Sequence, residues 1–125
     1  MTHVTRDIDP KDARDLLEQV PRACIAFASD DGPVSQPVVL VWKNDRYFIG
    51  MPTDEDHQPA SGDEIVLLVD EGVLFFDLRA IYIRGTVKPA EVPAGEPAGR
   101  TWFELAPAKT VAWDYGMLRE VEDEG

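Results

Sequence analysis

Short apolar segments bounded by turn-forming residues make up most of this chain from residue 23 onward. Six or seven such segments follow one another, beginning with Ala23–Ser29, Val34–Lys43 and Arg46–Gly50. The first two are separated by Asp30-Asp31-Gly32-Pro33 and the next two by Asn44-Asp45, and both are typical turn sequences. Segments of this length and spacing favour antiparallel strands that form a barrel or a sandwich.

A single helix is predicted before these strands. Asp9 is a suitable N-cap, and Pro10 suits the first helical position because its missing N–H would have no partner there. An apolar stripe with helical spacing follows, made of Ala13, Leu16, Leu17 and Val20. Pro21 ends the helix near Gln19 because its ring excludes a helical continuation.

Later strands are predicted at Leu74-Phe75-Phe76 and Ala80–Val87, with loops at Met51–Glu64 and Pro89–Gly99. The segments Trp102–Leu105 and Thr110–Asp114 are predicted as two short strands or as a helical turn followed by a strand. Two apolar segments, Val38–Trp42 and Ile65–Val69, do not alternate with polar residues, so both of their faces are expected to be covered. No internal repeat or composition change divides the chain. We therefore expect one domain over residues 1–125, with an ordered core at 9–121 and a frayed acidic tail at 122–125.

The charge balance excludes several partners. The 125 residues include 12 Lys and Arg against 24 Asp and Glu, a formal charge of −12. Such a chain is a poor match for nucleic acid or for an anionic membrane surface, because both require a basic face. Ala23–Ala28 is the longest apolar run and is too short to span a membrane. The N-terminus has no apolar signal region, which makes the cytoplasm the expected compartment.

Few residues offer chemistry of their own. Cys24 is the only cysteine, lies in an apolar segment and is expected to be an inert buried thiol. Two histidines and one cysteine cannot form a four-ligand zinc site, and no metal site is expected. The carboxylate pairs Asp63-Glu64 and Asp70-Glu71 are adjacent in strands, so their side chains point to opposite faces. Arg79 and Arg84 lie in or beside an apolar strand and either pair with nearby acids or contact an anionic ligand. The acids expected to pair with Arg79 are Asp77 and Glu71.

The order of these segments resembles that of the pyridoxamine 5′-phosphate oxidase-like, flavin-binding split β-barrels. The resemblance covers residues 9–121 and depends on order and spacing rather than on any single motif. The segments that carry it are Arg22–Ser29, Gln36–Trp42, Arg46–Gly50, Ile65–Gly72, Phe76–Gly85 and Trp102–Gly116.

This resemblance implies a mainly β fold, a six-stranded antiparallel split β-barrel with an N-terminal helix, that forms a homodimer. It implies two cofactor sites at the dimer interface and a small-molecule substrate. The cofactor in such proteins is FMN, the deazaflavin F420 or, in a minority, haem. The function implied is that of a flavin- or deazaflavin-dependent oxidoreductase in which the cofactor supplies most of the chemistry.

The resemblance also implies site residues. Those expected along the isoalloxazine ring are Gln36, Pro37, Val38 and Val39. Gly50 and Met51 match the strand end beside the ring, where a glycine permits close approach of a flat ligand. Arg79 matches a polar position on the far side of the cofactor, and Trp113 matches the region that reaches across from the partner subunit.

One segment departs from the family pattern. After the strand that ends near Gly50, the family places Ser or Thr, Arg and Lys around the cofactor phosphate, whereas this chain has Thr53-Asp54-Glu55-Asp56. Fixed anions repel a phosphate, so we expect phosphate to contribute little to cofactor affinity. The alternative function is a non-catalytic binding protein with a degenerate phosphate site that holds haem, another ligand or none.

Overall fold

The computed structural model describes residues 2–5, 7–19, 22–53, 57–71, 78–114 and 119–122. These residues form ten β-strands and one helical segment. The strands are β1 (Thr2–Thr5), β2 (Asp7–Ile8), β3 (Ala23–Ser29), β4 (Gly32–Pro37), β5 (Val39–Lys43), β6 (Arg46–Pro52), β7 (Glu64–Glu71), β8 (Arg79–Ala90), β9 (Arg100–Asp114) and β10 (Arg119–Glu122).

The helical segment begins where the sequence predicts it. Asp9 caps it, since its side chain accepts a hydrogen bond from the Lys11 N–H at 3.0 Å. The first turn, Pro10–Ala13, is a 3₁₀ helix, and α1 (Arg14–Gln19) continues it. The apolar stripe faces the barrel and is buried at Ala13, Leu16 and Leu17. Val20 and Pro21, expected at the end of the helix, lie outside the described residues.

An antiparallel sheet with the strand order β4-β3-β7-β8-β9-β6-β5 forms the body of the molecule. β2 adds to it by pairing with β9, and β1 pairs separately with β10. The two end strands of the order, β4 and β5, are consecutive in the chain and are separated only by Val38. The sheet therefore curls until its ends meet, and the Val38 N–H donates to the Ala23 carbonyl at 3.1 Å.

This arrangement confirms the predicted mainly β split barrel. The sheet has eight strands. The six predicted barrel strands are obtained when β2 is left out and when β4 and β5 are counted as one strand. The sequence predicted that single strand over Val34–Lys43. That strand breaks at Val38 because its two halves pair with strands on opposite sides of the split, β3 and β6.

The last part of the sheet is also more continuous than predicted. Trp102–Leu105 and Thr110–Asp114 belong to one long strand, β9, rather than to two short ones. Pro107 does not interrupt β9 because it lies at a register shift, opposite Gly85, where a ladder hydrogen bond is not required. β8 likewise extends to Ala90, so the loop predicted at Pro89–Gly99 begins at Glu91, two residues later than predicted.

The core lies inside the curled sheet and is closed on one side by the helical segment. Alternate residues of the strands face inward, and in β7 these are Ile65, Leu67 and Val69, each 0–1% exposed. Val66 and Leu68 point outward and are only half-buried. The expected cover on both faces of this segment is therefore not provided within one chain.

The bulge between β8 and β9 leaves no room for a side chain at Gly85. A Cβ atom built on Gly85 would overlap the backbone carbonyl oxygen of Ala106. We expect Gly85→Ala to destabilise the fold by about 2–4 kcal/mol, because backbone of both strands must shift. Urea unfolding followed by tryptophan fluorescence measures this loss. Thr86→Ala, at the exposed neighbouring position, is the matched control, and equal stability of the two variants would contradict the account.

Candidate functional site

An apolar surface flanks the break between β4 and β5 on the outside of the barrel. Strand pairing places Cys24 beside Pro37 and places Val39 beside Gly50, with Phe48 two residues before Gly50 in β6. Pro37 is exposed, while Cys24, Val39 and Phe48 are half-buried. We call these five residues the seam face. Three of the residues predicted to bind the ring belong to it, Pro37, Val39 and Gly50, and of these Gly50 is buried.

The predicted run from Gln36 to Val39 divides between the two sides of the sheet. Pro37 and Val39 lie on the seam face, whereas Val38 packs against the core. Gln36 pairs with the core residue Ile25, and its side-chain amide donates to the Pro37 carbonyl at 3.1 Å. Two of the four residues therefore present side chains to the seam face, because strand residues alternate.

The structure gives Gly50 a different role from the one expected. Trp102 of β9 lies over it, and a Cβ atom at Gly50 would be 2.8 Å from the Cη2 atom of the indole. The missing side chain thus makes room for Trp102 rather than for close approach of a ligand to the Gly50 Cα. Met51, the next predicted residue, is 0% exposed and belongs to the core, so its side chain does not reach a ligand.

A cleft of about 550 Å³ lies beyond the end of β6, between Thr53 and the segment 97–100. The Thr53 hydroxyl donates to the Gly99 carbonyl at 2.8 Å. Arg100 is exposed and lies opposite Pro52 in the β6–β9 pairing. It forms no ion pair with any residue in the described ranges. Sequence reasoning missed this cation because only the long-range pairing of β6 with β9 brings it beside Thr53.

The three carboxylates predicted to disfavour phosphate, Asp54, Glu55 and Asp56, lie outside the described residues. The proposed effect of these residues on a phosphate therefore stays a prediction. The cleft itself shows one hydroxyl and one guanidinium close to the position where the resemblance places the cofactor phosphate.

Arg79 forms the tightest ionic network in the described part of the chain. Its Nη1 and Nη2 atoms donate to the two carboxylate oxygens of Asp15 in α1 at 3.0 and 2.5 Å. Its Nε donates to Glu71 at 2.8 Å, and Nη2 also contacts Glu71. Ion pairing with Glu71 was one of the two predicted alternatives for Arg79. Asp15 was not predicted, and Asp77, another predicted partner, lies outside the described residues.

These contacts shift the ionisation of the network. The Arg79 hydrogen bonds hold the pKa of Asp15 below its ordinary value, against the opposing effect of partial burial. The two carboxylates in turn raise the pKa of Arg79, with Asp15 contributing most. The side chain of Arg79 is 23% exposed. The guanidinium thus ties α1 to the β7 end of the barrel within the single chain.

The predicted site residues fall into two groups at opposite ends of β9. Gly50 faces Trp102 near the start of the strand, whereas Trp113 lies 11 residues further on, beside Arg79 and Asp114. Eleven residues of strand span about 36 Å. Trp113 instead makes an edge contact with Tyr82, with ring centroids 5.8 Å apart. One chain does not bring the two groups together.

Two further ion pairs lie apart from the Arg79 network. Asp70 bonds to Arg22 at 3.2 Å, and Arg84 lies 3.7 Å from Glu64, in line with the ion-pair alternative for Arg84.

Cys24 is half-buried rather than buried, and its pKa is raised by burial and by Asp70, which keeps the thiol protonated. No group of three or more His, Cys, Asp or Glu within the described ranges is placed to hold a metal ion.

Comparison with known proteins shows what this architecture is similar to. No protein-family model and no curated protein sequence matches the chain. An FAD-binding protein from Mycobacterium smegmatis matches 85% of this chain and 95% of its own, at 14% identity and a TM-score of 0.69. An FAD- and haem-binding protein from the same organism is similar over 87% of this chain and 73% of its own chain. The sequence identity is 16% and the TM-score is 0.66.

A protein from Corynebacterium glutamicum, provisionally named a pyridoxamine 5′-phosphate oxidase, matches 87% of this chain and 90% of its own, at 12% identity and a TM-score of 0.63. These likenesses confirm the split-barrel fold of flavin-binding and pyridoxamine 5′-phosphate oxidase-like proteins that the sequence predicts. In addition, no helix among the described residues is long and apolar enough to cross a membrane.

The Arg79 network predicts how stability depends on pH. Arg79→Ala leaves two carboxylates without their cation, so we expect a loss of about 1–2 kcal/mol near pH 7 after allowance for solvent screening. Because Arg79 lowers the pKa of Asp15, the stabilisation is complete above the ordinary Asp pKa of 3.8 and is lost as pH falls below it. The difference between the two proteins should therefore shrink towards pH 3. Urea unfolding of both proteins between pH 3 and pH 7 measures this difference in the free energy of unfolding. A difference that grows at low pH would contradict the assigned role of Arg79.

Proposed function

We propose that this chain binds a flavin nucleotide on the seam face, as a homodimer, and transfers electrons between that cofactor and a small molecule. The observation that carries the proposal is an apolar, partly open surface at the split of a barrel whose structural neighbours include FAD-binding proteins. When bound, a flavin supplies redox chemistry that none of the described side chains supplies alone.

The seam face suits a flat aromatic ring. Pro37, Val39 and Phe48 present apolar atoms outward, and the Trp102 indole covers Gly50 on the same side. Arg46 covers part of Phe48, with its guanidinium carbon 4.9 Å from the ring centroid, and is held there by Glu104 at 2.8 and 2.9 Å. A ring in this place is excluded from water on one side while its polar edge stays near backbone groups of the strands.

The spacing along β6 suits the rest of a flavin nucleotide. Gly50 and Thr53 are three residues apart, which is about 10 Å of extended chain. The extended linker of FMN, from the ring nitrogen through the ribityl chain to the phosphorus, spans a similar length. The phosphate would then lie at the cleft formed by Thr53 and Arg100, where the guanidinium supplies donors, since the Thr53 hydroxyl already donates to the Gly99 carbonyl. The neighbouring carboxylates of Asp54–Asp56 offset part of this attraction.

A second copy of the chain explains features that one chain leaves open. Outward residues Leu68 and Tyr82 pair across β7 and β8 and remain half-buried, so an apolar face continues beyond Cys24. Covering such a face in a stable dimer typically buries on the order of 2,000 Å². A dimer would also allow Arg79 and Trp113 of one subunit to approach the seam face of the other.

Flavin is preferred to haem on the residues available. His57 bonds to Asp31 at 2.8 Å, and no histidine belongs to the seam face. The Cys24 thiol is kept protonated by its surroundings, which makes it a poor axial ligand. The deazaflavin F420 has a ring of the same shape, so it is included with FMN in the experiment that follows.

The proposal predicts a strong effect of charge on the seam face. Val39→Glu places a carboxylate beneath the ring, so we expect FMN affinity to fall by at least about tenfold. Lys43→Glu is the matched control, because Lys43 lies on the same strand and the same outward side but four residues away. Quenching of flavin fluorescence during titration with folded protein measures the FMN affinity of both variants. F420 and haemin are titrated in parallel.

Two results of that titration would contradict the proposal. One is the absence of saturable FMN and F420 binding by the unaltered chain. The other is an equal loss of affinity in Val39→Glu and Lys43→Glu, which would show that the ring does not contact the seam face.

The cleft at Thr53 predicts a separate effect on the phosphate. We expect riboflavin and FMN to bind the unaltered chain with affinities within about threefold of each other, since Arg100 and the adjacent carboxylates oppose one another. Arg100→Ala should weaken FMN by roughly three- to tenfold and leave riboflavin unchanged. Arg84→Ala, another exposed arginine, serves as the control. The assignment of the phosphate to this cleft would be refuted if FMN bound far more tightly than riboflavin both to the unaltered chain and to Arg100→Ala.

A further inference from the structure

A cavity of about 150 Å³ lies between the helical segment and the barrel. Residues of the helical segment, the β5–β6 hairpin and the inner side of β8 and β9 surround it. The lining residues are Pro10, Lys11, Arg14, Leu17, Trp42, Asp45, Tyr47, Ile81 and Thr110. None of them belongs to the seam face or to the cleft at Thr53, so this cavity is independent of the proposed flavin site.

The deep side of this cavity is apolar. Leu17 and Ile81 are core residues, 3% and 1% exposed. Trp42 and Tyr47 are partly buried and pack against the same core. Any molecule that enters must therefore place an apolar body against these side chains.

The rim of the cavity is positive, in contrast to the chain as a whole. Lys11 and Arg14 face a single carboxylate, Asp45, whereas the whole chain has 12 basic and 24 acidic residues. The Arg14 guanidinium lies over the Trp42 ring at 5.6 Å, and its Nη2 is 3.6 Å from an Asp45 oxygen. That distance is too long for a strong hydrogen bond, so the guanidinium keeps donors for another acceptor.

Two aromatic residues complete the wall of this cavity. The Nε1 atom of Trp42 is buried, and a hydrogen bond between the Trp42 and Tyr47 side chains partly opposes the rise in the pKa of Tyr47. Burial raises the pKa of Tyr47, which keeps its phenol neutral. The walls therefore present positive potential and no negative charge except that of Asp45.

We propose that this cavity binds a small monocarboxylate with an apolar body, such as a short branched or aromatic acid. The carboxylate lies at Lys11 and Arg14, and the body contacts Leu17, Ile81 and the Trp42 ring. A cavity of 150 Å³ corresponds to about five water molecules, which limits the enclosed part of the ligand to a few heavy atoms.

Benzoate is the test ligand, and benzyl alcohol is its uncharged counterpart of similar shape. Titration of the full chain is followed by the indole N–H signals in a proton–nitrogen NMR spectrum. We expect benzoate to bind with a Kd on the order of 1 mM and to shift the Trp42 signal, while the Trp102 signal stays in place. Benzyl alcohol should bind at least about fivefold more weakly.

Two substitutions should move the affinity in opposite directions. Arg14→Gln removes a cation, and we expect benzoate affinity to fall about fivefold. Asp45→Asn removes the competing carboxylate and should raise affinity about two- to threefold. Asn is tolerated at this turn, where residue 45 has a φ of 59°. Lys109→Gln, an exposed cation outside the cavity, is the control and should change nothing.

Equal binding of benzoate and benzyl alcohol would overturn the proposal, as would a weaker affinity in Asp45→Asn. A benzoate-dependent shift at Trp102 without one at Trp42 would also overturn it. If Arg14→Gln does not fold, Lys11→Gln, which removes the other cation of the rim, provides the same comparison. Flavin titrations with these variants should match the unaltered chain, so failure of one proposal is distinguishable from failure of the other.

Discussion

The joining of the two end strands of the sheet through Val38 is the constraint on which the rest of this structure depends. β4 and β5 are consecutive in sequence, yet one pairs with β3 and the other with β6. The sheet must therefore curl until its ends meet, which places the core inside and leaves an opening at the split. The seam face exists because this opening exposes outward-facing residues from both sides, Pro37 on one and Val39 on the other.

Local patterns predicted much of this fold. The cap at Asp9, the buried stripe at Leu16 and Leu17, and the hairpin turn at Asn44-Asp45 are set by neighbours in the sequence, and the structure confirms all three. The split-barrel fold was reached through the order of the segments rather than through a motif. Pairings between distant strands could not be read from the sequence, which is why Val34–Lys43 was predicted as one strand and β9 as two.

The same distinction applies to the site. Period-two alternation, applied to Gln36–Val39, would have separated Pro37 and Val39 from the residues that face inward, and Met51 from the surface. The contact of Trp102 with Gly50 and the position of Arg100 beside Thr53 depend on the register of β6 with β9. The second carboxylate of Arg79, Asp15, comes from a helix 64 residues away in sequence. No local pattern contains that information.

The central claim is that two copies of the chain form one flavin-binding unit. Sedimentation velocity, recorded at the protein and flavin absorption bands over a range of protein concentrations, tests it most directly. The account predicts that FMN sediments with a dimer, at two flavins per dimer, and that bound flavin decreases as dilution dissociates the subunits. A monomer that carries FMN with undiminished affinity would contradict the account.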